Sequence, residues 1–369
     1  MFGVVLIYYI SFFISVCFFF CYAEIRRHSY NKFNVVDGFF LLIIATPLAI
    51  LSGVRDQNVG TDTDLYLKFY SEYERVSYFD FISSLSFFNE PFFKLSQYVF
   101  SELIGVQFGF FLASCSIFII VVSISFFIRY CQNPLFAYIL FLLMGFATLH
   151  FNILRQCLAI AIFFIAIQQY MEGRYSRLIP LFLIGFLIHK SFIFVIFSIF
   201  VFHLIKKLEL KSIIIITVIF SVFVFFIDTI VEFSIGFDDR YLILSNTNTD
   251  SLGHLKFFLI LIFFIFSFYV KINSNSNSKI IEYSVIVLFL SVLLNALTVI
   301  LHLNPNGITR ASVYFEPFII IVFSEFISRL KAPIIRMIIY CLALPLFSFY
   351  FWLFVLPYGE LTPFSFRSL

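Results

Sequence analysis

The run Val36-Asp-Gly-Phe-Phe-Leu-Leu-Ile-Ile-Ala-Thr-Pro-Leu-Ala-Ile-Leu-Ser52 passes directly into Gly53-Val-Arg-Asp-Gln-Asn-Val-Gly-Thr-Asp-Thr-Asp-Leu-Tyr66. The first segment is apolar and close to the length needed to cross a bilayer, about 20 residues with some tolerance. The second packs an arginine and several acids into one short block beside it. Placing a charge at the centre of a membrane helix costs at least ~2.5–3.5 kcal/mol, so ionic residues gathered at the ends of apolar spans are functional candidates by default.

The same alternation runs along the whole chain. Hydrophobic residues make up 62% and charged residues 12%, against roughly a quarter charged in a soluble domain, and the mean hydropathy is +1.04. Apolar runs fall near residues 3–23, 36–52, 108–128, 134–150, 153–170, 178–189, 192–205, 212–231, 257–270, 283–301, 313–328 and 335–356. The expectation is an all-α polytopic membrane protein of about twelve transmembrane helices, forming a single membrane domain over residues 1–369. The 59 Phe and 20 Tyr are expected to face lipid or neighbouring helices. A net charge of +3, with no long basic run, gives no footprint for nucleic acid. The six cysteines form no CxxC pair and read as buried thiols, with no zinc spacing and hence no metal site.

Lysine and arginine set the orientation. Arg26, Arg27, Arg129, Arg174, Arg177, Lys206, Lys207, Lys271 and Arg329 fall on one set of short loops, which is then cytoplasmic. Both termini are expected on the opposite side, with no cleaved signal peptide, because the basic residues follow the first apolar run instead of preceding it. The long connections 53–107 and 232–256 then lie outside, the first carrying interfacial or re-entrant helices around 79–88 and 91–103. Pro91 suits the first turn of the second of these.

Several polar residues gather at the outer ends of the spans. Asn152, Arg155 and Gln156 stand at helical spacings and should share one face of the fifth span. A guanidinium there suits either an ion pair with an acid of the first outer loop or a phosphate clamp, since its planar fork meets two oxygens at once. Arg55 and Arg310 occupy comparable ends of other spans. On the tenth span Asn295, Thr298 and His302 make a polar stripe, which suits helix–helix bonding as well as a site. Glu316-Pro317 puts an acid and an expected kink in the eleventh. His189, followed by Lys190 and Ser191, sits in a break between apolar runs and suits either a satisfied interfacial histidine or a general base for a hydroxyl. Asp62 and Asp64 are rival bases, and equally suit capping the helix that starts near Leu65.

Taken in order, Arg55 with Val59-Gly-Thr-Asp62 and Tyr66, Glu90-Pro91, Asn152-x-x-Arg155-Gln156-x-x-Ala159, His189-Lys-Ser191, and Arg310 with Tyr314-Phe315 resemble the EpsG family of Wzy-like polysaccharide polymerases. The resemblance covers roughly residues 53–315 and gives out beyond Phe315. It implies a metal-independent glycosyltransferase with a multispan GT-C-like fold and no cofactor, acting at the outer face of the bacterial cytoplasmic membrane. It would join polyprenyl-diphosphate-linked oligosaccharide units of O-antigen or capsule type. Arg55, Arg155 and Arg310 would then bind the diphosphate, His189 or Asp62 would act on the acceptor hydroxyl, and Asp64, Tyr66, Asn152, Gln156, His302 and Tyr314 would line the substrate site. A chain-length regulator and a flippase are the expected partners besides membrane lipid. A lipid-linked oligosaccharide flippase and an O-antigen ligase are the alternative readings. A flippase would spread its basic residues along a cavity reaching both faces, whereas here they gather at one.

Overall fold

The computed structural model describes residues 2–27, 35–87, 89–205, 251–273, 278–300 and 309–367. The fold is all-helical, as a chain in hydrocarbon requires when each backbone donor must find its acceptor internally. Among the described residues the only strand-like feature is an isolated antiparallel bridge between Arg55 and Phe366. Among the described residues seven helices are long and apolar enough to cross a membrane: Val5–Arg26, Val35–Val54, Phe108–Tyr130, Leu154–Met171, His254–Ile272, Lys279–Val299 and Pro333–Val355. Shorter apolar helices cover Pro134–Leu143, Tyr175–Ile188 and Lys190–Leu204.

In chain order the described helices are α1 (Phe2–Arg27), α2 (Val35–Val54), α3 (Thr63–Tyr73), α4 (Tyr78–Ser84), α5 (Pro91–Tyr98), α6 (Phe108–Tyr130), α7 (Pro134–Leu143) and α8 (Leu154–Met171). They continue with α9 (Leu178–Ile188), α10 (Ile193–Leu204), α11 (Ser251–Ile272), α12 (Lys279–Ile300), α13 (Thr309–Ser312), α14 (Phe318–Arg329) and α15 (Pro333–Tyr350). Two expected spans are interrupted. The run 134–150 is helical only to Leu143, after which the chain turns through Gly145 at φ 84°. The run 313–328 turns at 313–317 and becomes helical only at Phe318, so Pro317 precedes helix α14 instead of kinking it. The expected span 212–231, most of the outer connection 232–256, and His302 lie outside the described residues.

The chain divides into two compact units, Met1–Lys190 with Ile327–Leu369, and Ser191–Phe326. In the first, α2 packs along α6 at a point where two glycines meet. A Cβ on Gly109 would lie 2.3 Å from the Gly53 carbonyl oxygen, and one on Gly53 would lie 2.8 Å from that of Gly109, so only a residue without a side chain permits this approach. A core of Tyr66, Tyr70, Phe93, Phe111, Leu112, Cys115, Leu154 and Cys157 then seats α3 and α5 on the N-terminal ends of α6 and α8. Each large side chain so enclosed contributes about 1.5–3 kcal/mol. The loop helices are thereby fixed over those helix ends. Ser15 Oγ, 2.5 Å from both the Ile44 carbonyl oxygen and Tyr138 Oη, ties α1, α2 and α7 together.

In the second unit α12 is the central helix. Ser198 Oγ and Tyr283 Oη, 2.7 Å apart, join α10 to it, and Lys271 Nζ reaches Glu282 at 2.6 Å between the ends of α11 and α12. Asn295 and Thr298 are buried and donate to the Ser291 and Leu294 carbonyls of their own helix. Cys115, Cys131 and Cys157 are buried as expected, whereas Cys17, Cys21 and Cys341 are exposed on the outer surfaces of their helices.

Candidate functional site

The polar block after α2 is held by backbone bonds from both sides. From the C-terminal segment, Arg367 donates to the Val54 carbonyl at 2.9 Å, Asp56 donates to that of Ser365 at 2.9 Å, and Gly60 donates to that of Glu360 at 3.0 Å. From the other side, the Thr61 amide donates to Asn152 Oδ1 at 3.2 Å, and Thr63 Oγ1 donates to the carbonyls of Val59 and Phe151 at 2.7 and 3.2 Å. Gly60 stands at φ 90° with the Phe151 carbonyl oxygen 2.3 Å from where a Cβ would be. Both the left-handed backbone and the close approach demand glycine.

This clamp corrects two sequence expectations. Asn152 does not share a helical face with Arg155 and Gln156. It precedes α8, just after the short helical turn Leu149–Phe151, and spends its side-chain oxygen on the Thr61 amide. Gln156 is buried while Arg155 is partly open. Asp62 occupies the residue before α3, yet its side chain bonds no helix amide. It accepts from Thr61 Oγ1 at 3.3 Å and from Tyr66 Oη at 3.4 Å. Burial pushes the Tyr66 hydroxyl up to about 12, so it remains a neutral donor. Asp64 is exposed in the first turn of α3.

Arg155 lies in the first turn of α8, where the helix dipole repels a cation. The compensation comes from Glu90. Its Oε2 forms an ion pair with Arg155 Nη1, and its Oε1 lies 2.5 Å from His189 Nδ1. The Glu90 side chain is 5% exposed, against 20% for Arg155 and 22% for His189. Aromatic faces complete the surround, with the Arg155 guanidinium 5.6 Å from the Tyr66 ring centre and 5.9 Å from that of Phe93. The structure thus brings together two of the residues singled out in the sequence, through a third that the sequence analysis quoted only as part of Glu90-Pro91.

Arg55 is placed differently. Its side chain is buried, with the guanidinium 4.2 Å over the Phe151 ring. None of its three nitrogens has a hydrogen-bond partner among the described residues. Burial pushes its pKa down to about 9, so it remains a cation at neutral pH. His150 is fully buried as well, its ring edge-on to that of Phe151 at 4.8 Å between centres. Sequence reading took Arg55 for a direct ligand of substrate and did not single out His150. Their shared enclosure comes from residues distant in the chain, including Tyr8, whose hydroxyl donates to the Leu361 carbonyl at 2.8 Å.

In the second unit Arg310 is exposed at α13, and Tyr314 is buried, accepting from Ser191 Oγ at 3.2 Å. Glu316 accepts from Ser312 Oγ at 2.7 Å and pairs with Lys256 at 2.9 Å. Among the described residues no three His, Cys, Asp or Glu side chains gather as a metal site requires.

No curated protein and no solved structure matches the chain. Its sequence does match a family across nearly its whole length, residues 38–366, a range that takes in the polar block, Glu90, Arg155, His189 and the C-terminal segment that pairs with the block. The chain belongs to the EpsG family of Wzy-like polysaccharide polymerases.

Proposed function

We propose that this chain joins polyprenyl-diphosphate-linked oligosaccharide repeat units of O-antigen, capsule or exopolysaccharide type at the outer face of the bacterial cytoplasmic membrane. The observation that carries the reading is the meeting of a helix-end arginine and a histidine on one enclosed carboxylate. The outer placement rests on the lysine and arginine bias, and the full architecture is read as about twelve spans in a single GT-C-like membrane domain.

The acceptor sugar's hydroxyl oxygen attacks the anomeric carbon of the donor. The bond from that carbon to the diphosphate oxygen breaks, and its electron pair leaves with the diphosphate. The proton of the hydroxyl passes to His189, favoured over Asp62 because the imidazole is held in place. Charge developing on the bridging oxygen is stabilised by Arg155, in surroundings of low dielectric where such contacts gain strength. Arg55, sealed beneath Phe151, adds its positive field without touching the ligand. The arginines supply the charge that a metal ion would otherwise supply. Asp64, Tyr66, Asn152 and Gln156 are the proposed contacts for sugar and carrier in the first unit, and a flippase and a chain-length regulator the proposed partners.

The test is made in cells. Arg155→Ala should abolish the ladder of long surface polysaccharide while the protein stays in the membrane. An unaltered ladder would refute the reading.

A further inference from the structure

We propose that Glu90 is the positioning residue of this transfer site, holding Arg155 for the donor diphosphate with one carboxylate oxygen and His189 for the acceptor hydroxyl with the other. The inference rests on the polymerase reading and deepens it.

Three observations on the Glu90 residue converge. First, its two oxygens are divided between two groups, Nη1 of Arg155 and Nδ1 of His189. These come from the start of α8 and the end of α9. Second, Glu90 sits immediately before α5, where a carboxylate would find free helix amides and a favourable dipole. Its side chain makes no such bond. Only its backbone carbonyl serves the helix, accepting from Phe93 and Lys94 at 3.1 and 3.3 Å. Third, Glu90 has φ 53° and ψ 51°, a left-handed conformation that is unfavourable for a glutamate and is held only by surrounding structure. A pair serving stability alone would need neither the strain nor the histidine.

The chemistry follows from the contacts. With Nδ1–H donating to Glu90, the imidazole is fixed as the tautomer whose Nε2 carries the lone pair. Nε2 is then the atom that receives the acceptor's proton. Before transfer, Glu90 and Arg155 cancel in charge and the lone pair on Nε2 is open to the proton. After transfer the imidazolium lies against the carboxylate and the cluster has gained one positive charge, as the diphosphate gains negative charge from the broken glycosidic bond. Glu90 takes Nη1 of Arg155, and the planar fork so held is the group that meets phosphate oxygens.

The experiment uses purified full-length protein with lipid-linked repeat units, turnover being counted per molecule recovered from the membrane. Glu90→Gln keeps shape but cannot balance an imidazolium, and should lower kcat about 10²–10⁴-fold with little change in KM for the donor. Because Glu90 acts through His189 as well as Arg155, Glu90→Gln combined with His189→Gln should lose far less than the product of the two single losses. Glu90→Gly relieves the backbone strain and should still lose turnover, which keeps the test open if the glutamine variant is depleted from the membrane. Wild-type kcat in either variant, or losses that multiply in the double variant, would overturn the proposal. If the polymerase reading itself fails, the wild-type protein will not extend the units at all, which is a separate outcome.

Discussion

The two ends of α8 carry the same kind of cluster in opposite settings. At its start, one enclosed carboxylate, Glu90, gathers Arg155 and His189, which are 20% and 22% exposed. At its finish, Glu172 gathers Arg129 at 2.5 Å and Arg174 at 2.8 Å, with those arginines 49% and 54% exposed. Each end bears a charge that the helix dipole disfavours, and each is neutralised by partners from other segments. At about 1.5 Å per residue the helix holds them roughly 27 Å apart, close to the thickness of a hydrocarbon core. The difference between them is enclosure. The arginines on Glu172 are about half exposed, so solvent weakens their pairing. The Glu90 cluster is walled by aromatic rings and held by a strained backbone, the conditions in which a charge acts strongly on a ligand.

If that contrast is right, mutations at the two ends should differ by orders of magnitude in turnover. His189→Gln should slow polymerisation by about 10²–10⁴-fold, measured on purified protein, with donor binding retained. Arg155→Lys keeps the charge but loses the planar fork, and should cost about 10²–10³-fold. Turnover of either variant within a few-fold of wild type would make the two ends equivalent. Gly109→Ala probes the packing beneath the site. The added Cβ must displace the Gly53 backbone, so unfolding in detergent should show a loss of about 1–3 kcal/mol. At the far end, Arg129→Ala leaves Arg174 on Glu172, and should change stability by less than about 1 kcal/mol and turnover hardly at all. Substantial loss of activity there would break the comparison. Its sidedness is tested by labelling with an impermeant thiol reagent in a background without native cysteines: Asp64→Cys should label from outside the cell and Arg174→Cys should not.

Much of this was legible in the chain because membrane helices and helix-end charges leave local marks. Arg155 and His189 stood out since each interrupts or terminates an apolar run. Glu90 did not, because its role depends on the meeting of three segments distant in sequence, and Glu90-Pro91 alone reads as the start of a helix. Asn152 was misplaced for a related reason. Its spacing to Arg155 and Gln156 fits a helix, but Thr61 competes for its side chain and the chain turns before α8 begins. The helices expected to run unbroken over 134–150 and 313–328 are interrupted at 144–148 and 313–317, where tertiary context overrode continuous hydrophobicity. Arg55 was read as a ligand-facing guanidinium, and its burial follows from cover by Phe151 and from pairing with Phe366, contacts between segments distant in sequence.

The most direct measurement is polymerisation by the purified protein in liposomes that contain lipid-linked repeat units and no other enzyme. Products are resolved by chain length and the released carrier diphosphate is counted. The wild-type protein should build a ladder and release one carrier diphosphate per bond formed, and Arg155→Lys should leave the units almost unjoined. Units moved across the bilayer without joining, or a full ladder from Arg155→Lys, would contradict the assignment of the Arg155 end of α8 as the site of transfer.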